Sequence, residues 1–355
     1  MKHTERRREG LSEKKLTERV QRLLEERGSK PLEMARRAVL EEKIECKEAY
    51  EALKFFMSYW KDTARPTLMS IVCEAAGGNE EIIVPVAASI VLISGGIDIH
   101  DDIIDRSETK LSHLTILGKF GGDIALLAGD ALLFKGLTLL CESVKKKVSA
   151  EKISVVFKLI NRMFFELGDA EAVELQFRGR TDISPEEYLR LVRKKAADVE
   201  ALTRISAILG GGSEEEIEKL GEYGRLLGMI LILRDDMWDT TDFAETSHRI
   251  KNECLPLPIL YALQFEETKP RVASIILKES ITRRDAREIR EIATKSGGLR
   301  QSRRIINKFA KKACRVVRTL GFKNNLKLFA VASCIPYLGD ETKLKSNSPS
   351  VPKHG

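Results

Sequence analysis

Apolar residues recur along this chain at spacings of three and four, the period of a helix, and no sustained period-two alternation is found. The pattern predicts a succession of amphipathic helices. One spans 31–61. The next begins near Pro66, which a first helical turn tolerates, and stops at Gly77-Gly78. Residues 80–105 read as a mostly apolar helix, followed by helices over 118–146 and 150–178. Ser184-Pro185-Glu186-Glu187 supplies an N-cap, a Pro in first position and acids in the first turn, so it opens a helix to about Leu209. Gly210-Gly211-Gly212 breaks that helix and Ser213 caps another. Residues 255–336 hold shorter helices punctuated by Pro256, Pro258, Pro270 and Gly297-Gly298. Residues 1–30 form a charged N-terminal extension with a thin apolar stripe: Leu11, Leu16, Val20, Leu23 and Leu24. The tail 343–355 is polar, holds two prolines and reads as disordered. Between them, 31–342 is expected to be one all-α domain, a helical bundle around a central cavity.

Composition narrows the function. The chain has 355 residues, 43% hydrophobic and 32% charged, which suits long helices with wet outer faces around a sizeable core. Its net charge of +7 is spread along the chain and heaviest at both ends, without aromatic interleaving, so nucleic acid is not the expected partner. Six cysteines, Cys46, Cys73, Cys141, Cys254, Cys314 and Cys334, contain no C-x-x-C pair and read as buried free thiols of a reducing compartment. No apolar segment follows MKHTERRREG, and no run is expected to reach the roughly 18 apolar residues that cross a bilayer. A cytoplasmic protein without a transmembrane segment is expected.

The chemistry is concentrated in GGIDIHDDIID, residues 95–105, where Asp101, Asp102 and Asp105 end an apolar helix. Asp101 and Asp105 share a helix face, and like charges at that spacing repel. A hard divalent cation reverses the sign, because carboxylate oxygens are its preferred ligands. The arrangement recurs as DDMWD, with Asp235, Asp236 and Asp239 after LLGMILIL. Two such clusters facing one cavity would gather metal ions and, through them, a diphosphate.

These residues resemble the trans-isoprenyl diphosphate synthases, or polyprenyl synthetases, from about residue 40 to 340. RPTLMSIVCEAAGG, LLAGDALL, GDAEAVELQF, EEYLRLVRKKAA and LPLPILYAL agree as well. The resemblance implies the isoprenoid synthase bundle, Mg2+ (three ions) as cofactor and an allylic prenyl diphosphate as substrate. It implies that Asp101, Asp102, Asp105, Asp235, Asp236 and Asp239 are metal ligands. Asp101, Asp105, Asp235 and Lys195 would carry catalysis, and Arg65, Lys110, Lys195, Arg249 and Lys251 would hold substrate diphosphate. It also implies a homodimer, or a heteromer with a homologue.

The departures fall on one half of the family's site. Its acceptor, isopentenyl diphosphate, is held by basic residues. Here Arg65 remains, but the lysine position of the GGKRxRP loop is Asp62, the histidine position is Ser94 and the second arginine is Leu111. One lost charge-assisted contact costs about 1.5–3 kcal/mol. Leu231-Ile232 replace a Phe-Gln pair and make that wall more apolar. Asp98 adds an acid three residues before Asp101, and Gly95 and Gly96 are expected to leave room for a chain of roughly 15–25 carbons, as small residues there do in the family. The favoured expectation is therefore a class I terpene synthase acting by cyclisation or water capture. The alternative is a chain-elongating polyprenyl diphosphate synthase, and a third reading is a non-catalytic subunit. Retention of all six carboxylates weighs against the third.

Overall fold

The computed structural model describes residues 2–110, 113–145 and 148–320, with side chains from residue 18 onward except 144 and 145. Leu111, Cys334 and the tail from Lys343 lie outside the described residues. The elements in order are α1 (Lys2–Leu40), α2 (Lys47–Tyr59), α3 (Ala64–Ala75), α4 (Glu80–Ile104), β1 (Thr109–Lys110), β2 (His113–Leu114), α5 (Ile116–Phe120), α6 (Gly122–Lys145), α7 (Ala150–Phe177), α8 (Pro185–Lys195), α9 (Ala197–Gly210), α10 (Glu214–Asp239), α11 (Phe243–Asn252), α12 (Leu257–Ala262), α13 (Lys269–Ile276), α14 (Arg283–Lys295) and α15 (Gly298–Thr319). The two strands form one antiparallel hairpin, Thr109 opposite Leu114. The all-α expectation holds.

α4 is the helix the others pack around, touching α1, α3, α6 and α9. Asn79 caps it, its side chain accepting from the Ile82 N–H, and Glu80 and Glu81 complement the positive end of the helix dipole. Its middle third, Val86–Ile93, is buried on every side, as a helix apolar all round should be. α9 and α10 approach closely because α10 turns glycines toward α9. A Cβ at Gly224 would stand 2.5 Å from the Val199 carbonyl oxygen, and one at Gly228 2.8 Å from the Ala196 Cβ.

Five expectations change. The helix drawn over 31–61 is two helices, broken at 41–46 with no Gly or Pro; Ile44 tucks into the cluster that holds Val39 and Ala52, and tertiary packing overrides propensity there. Nor does the chain break at residue 30: α1 runs through Pro31, Leu23 joins the core, and Arg27 pairs with Glu74 and Glu80. The helix drawn from Ser184 to Leu209 breaks once, at Ala196, between α8 and α9. Finally, α4 and α6 are long and apolar enough to cross a membrane by length and composition. α4 is a core helix, 72% of its most apolar window being buried, whereas α6 has only 33% buried. Among the described cysteines Cys73 and Cys254 are buried, but Cys46 and Cys141 are exposed.

A candidate active site with paired acid clusters

A cavity of about 600 Å³ opens between α1, α3, α4, α7, α9 and α10. Asp101 from α4 and Asp235 from α10 both line it, with Lys195 at the α8–α9 break and Arg65 on α3. Its wall is apolar, built from Leu68, Ile90, Ile93, Ile97, Met163, Leu167, Leu202, Leu231 and Ile232 among others. Val20 and Leu24 close one side, so residues drawn as an extension contribute to it. Gly95 and Gly96 do not widen the cavity. A Cβ at Gly95 would meet the Phe56 ring at 2.8 Å and one at Gly96 the Leu133 Cγ at 2.7 Å, so both serve the packing of α4 on α2 and α6.

The six acids divide into two kinds. Asp102 is 2% exposed and paired with Lys110 at 2.6 Å; Lys110 also holds Asp98 at 3.0 Å. Asp236 is 1% exposed and accepts from the Tyr188 hydroxyl (2.8 Å), Arg249 (2.9 Å) and the Leu257 N–H (3.1 Å). Both side chains are buried and turned to protein partners, in contrast to the expectation that they ligate metal. Asp101, Asp105, Asp235 and Asp239 keep freer oxygens. Burial, then the Asp101 charge, pushes the Asp105 carboxyl up to about 8, although Arg178 contacts it at 2.9 Å. Burial lifts Asp239 to about 7 against Arg249, 3.8 Å away, and lifts Asp101 against Lys195 and Lys110. Crowded acids held above their ordinary range are short of positive charge, and a hard cation would supply it. Among the described residues no three His, Cys, Asp or Glu side chains converge tightly enough to hold a metal ion alone. That fits Mg2+, which keeps several waters and takes one or two carboxylates plus substrate phosphates.

The cations are less free than the sequence suggests. Lys195 binds Glu171 at 3.1 Å and Glu174. Burial would raise the Glu174 carboxyl, but Lys195, Arg249 and the Cys254 thiol together more than offset it and hold it down at about 2. Arg65 is clamped between Asp62 (3.1 Å) and Asp198 (3.2 Å). Arg249 is committed to Asp236 and to Glu253, the latter at 2.9 Å. Lys251 does not reach the site: it is exposed and donates to the Lys278 carbonyl. Asp98 does line the cavity, as its position in the helix predicts.

The sequence reading missed Arg225. It is 6% exposed on α10, binds Glu166 on α7 at 2.6 Å and Glu200 on α9, and donates to the Arg193 carbonyl at 2.6 Å. That carbonyl belongs to the last turn of α8, whose acceptors lose their helical partners at the break. One guanidinium therefore satisfies the end of α8 one turn from Lys195. Glu171 and Glu174, three apart on α7, were also missed, although GDAEAVELQF contains them.

An all-helical bundle enclosing an apolar cavity, with an acid-bearing helix on either side, defines the isoprenoid synthase architecture. Solved structures agree: geranylgeranyl pyrophosphate synthetase from Pyrococcus horikoshii superposes with a TM-score of 0.79 at 24% identity, covering 89% of this chain and 99% of that one. The polyprenyl synthetase family model matches residues 50–293. The chain belongs to the polyprenyl synthetase family. It is 30% identical over 211 residues to geranylgeranyl diphosphate synthase of Methanosarcina mazei, covering 59% of this chain and 64% of that relative. It is 31% identical over 220 residues to the short chain isoprenyl diphosphate synthase of Methanothermobacter thermautotrophicus, covering 60% and 66%. The alignments thus span slightly under two thirds of these relatives.

Proposed function

We propose that this chain is a Mg2+-dependent prenyltransferase that ionises an allylic prenyl diphosphate and extends it with isopentenyl diphosphate. The observation that carries the class of chemistry is that Asp101 and Asp235 line one apolar cavity with Lys195. The family and the names of its relatives, geranylgeranyl and short chain isoprenyl diphosphate synthases, favour elongation over the terpene synthase expected from the degraded acceptor site.

In this reading Asp101, Asp105, Asp235 and Asp239 hold Mg2+, three ions as in the resemblance. When bound, the metal stabilises the charge that develops on the departing diphosphate. Lys195 adds a fixed positive charge aimed at the same oxygens, pre-organised by Glu171 and Glu174. The apolar wall excludes water, so the allylic cation meets the acceptor rather than a water molecule. Leu126, Leu127 and Phe134 on α6 and Phe165 on α7 stand exposed, and we assign this face to a homodimer. A relative from Arabidopsis thaliana is named as the large subunit of a heterodimeric synthase, which keeps a heteromer in view.

One observation supports the competing terpene synthase reading: Arg65, the acceptor-side cation that survives, is already neutralised by Asp62 and Asp198. The purified chain with Mg2+ and an allylic diphosphate separates the two. Longer diphosphates that require isopentenyl diphosphate are expected. Hydrocarbon or alcohol formed from the allylic diphosphate alone overturns elongation.

A further inference from the structure

The 37 residues from Arg283 to Thr319 carry thirteen Lys and Arg against three Asp and Glu, a net +10 where the whole chain is +7. The remainder of the chain is therefore at −3, and the largest basic excess lies in α14 and α15. Within α15, Arg300, Arg304, Lys308, Lys311, Arg315 and Arg318 are all exposed. Their spacings are 4, 4, 3, 4 and 3. On a straight helix these positions fall within an arc of roughly 80° and run for about 27 Å. The buried positions Ser302, Ile306, Ala310, Ala313, Val316 and Val317 occupy the opposite side.

This stripe has no internal compensation. α15 contains no Asp or Glu. Among the described residues none of the six forms an ion pair; Arg304 reaches only the Gln301 amide oxygen, at 3.4 Å. Lys312, at the edge of the face, is the cation of α15 with an acidic partner, Glu222 at 2.7 Å. Like charges at i,i+4 weaken a helix, so the sequence holds an unfavourable pattern along five turns where a few acids would relieve it.

We propose that this face of α15 docks the protein on an anionic lipid bilayer. The argument is charge complementarity and shape. A straight, rigid line of cations meets a flat anionic surface along its whole length, and each basic residue near such a surface adds attraction that dies away within a Debye length. A nucleic acid duplex curves away from a straight line of this length, and the stripe carries no aromatic side chain for stacking bases. The proposal is independent of the activity assigned to the cavity.

Flotation of the full chain with vesicles tests it. At low salt the protein rises with phosphatidylcholine–phosphatidylglycerol vesicles and not with pure phosphatidylcholine. It is released near 1 M salt, where the Debye length is about 3 Å. The double variant Lys308→Glu with Arg315→Glu places acids four residues from Arg304, Lys311 and Lys312, so its thermal midpoint holds or rises. Its vesicle partitioning falls by about 25-fold or more, a factor of about five for each basic residue removed. Wild-type protein that stays unbound to anionic vesicles at low salt overturns the proposal. So does a double variant that floats like wild type, or duplex DNA that draws the protein off the vesicles at equal phosphate.

Discussion

Replacing Arg225 with Met tests whether the α8–α9 break is built to present Lys195. The guanidinium is 6% exposed and joins Glu166, Glu200 and the Arg193 carbonyl, so three elements meet on one side chain. Removing one partner of a buried ion pair costs about 3–5 kcal/mol. Glu166 is 24% exposed and regains water, and Glu200 keeps Arg204 at 2.8 Å, so the loss belongs at the lower end, about 3 kcal/mol. Lysine keeps the charge but cannot reach both carboxylates and the carbonyl with one ammonium, so Arg225→Lys should fall between. The assay is urea unfolding together with steady-state release of diphosphate, run where both variants remain folded. Once Arg193 loses its donor, the last turn of α8 frays and Lys195 loses its fixed aim. KM for the allylic diphosphate should then rise about tenfold or more, one lost charge-assisted contact, and recover partly in Arg225→Lys. A stability loss below about 1 kcal/mol refutes the network. A full loss of stability with KM unchanged refutes the link to Lys195.

Asp101→Ala and Asp235→Ala should each lower turnover by about 10²-fold or more with the thermal midpoint retained; full activity in either removes the metal assignment. Asp236→Ala should act oppositely, destabilising by about 3–5 kcal/mol, because it removes one of the two acids that contact the buried Arg249 at 2.9 Å and the acceptor of the buried Tyr188 hydroxyl; an unchanged midpoint in urea unfolding would return Asp236 to the metal site. The pH dependence follows from folded carboxyls held above their unfolded range, Asp105 at about 8, Asp239 and Glu171 at about 7. Groups raised in this way favour the folded state only while protonated. The metal-free protein should lose stability as pH climbs from about 4 toward 8, and Mg2+ should restore it most at the upper end, with proton release seen by calorimetry in two buffers. Asp62→Asn should free Arg65 and lower KM for isopentenyl diphosphate by about tenfold; no change means that the acceptor is bound elsewhere.

The fold was legible because its signals are local and strong. Ser184 and Ser213 both make the reciprocal side-chain and backbone bonds that their Glu three residues later predicts. The helix over 80–105 is found at Glu80–Ile104, and the shared cavity of Asp101 and Asp235 follows once two acid-ended apolar helices must face each other. What sequence could not give is partnership at long range. Asp102 sits beside Asp101 in the chain yet points at Lys110, and only the hairpin at Thr109–Leu114 brings that lysine back. Nothing at position 198 announces a partner for Arg65, 133 residues away.

The breaks are the deeper lesson. At Gly210–Gly212 the chain interrupts a helix with residues that favour leaving it, and Gly211 takes the left-handed conformation with φ 86°. At Ala196 nothing local favours a break: KKAADVE is good helix-forming sequence. The interruption is imposed from α10, where Gly228 leaves space for Ala196 to press in and Arg225 takes the carbonyl that the break exposes. A lysine with its ammonium held between Glu171 and Glu174 is a product of that intrusion. Filling the space should therefore reach the lysine: Gly228→Ala puts a methyl 2.8 Å from the Ala196 Cβ and 3.1 Å from its Cα, contacts that only backbone movement relieves. The expected result is a rise in KM for the allylic diphosphate that parallels Arg225→Met, measured by diphosphate release. A Gly228→Ala enzyme with unchanged kinetics would mean that the break holds its shape without α10.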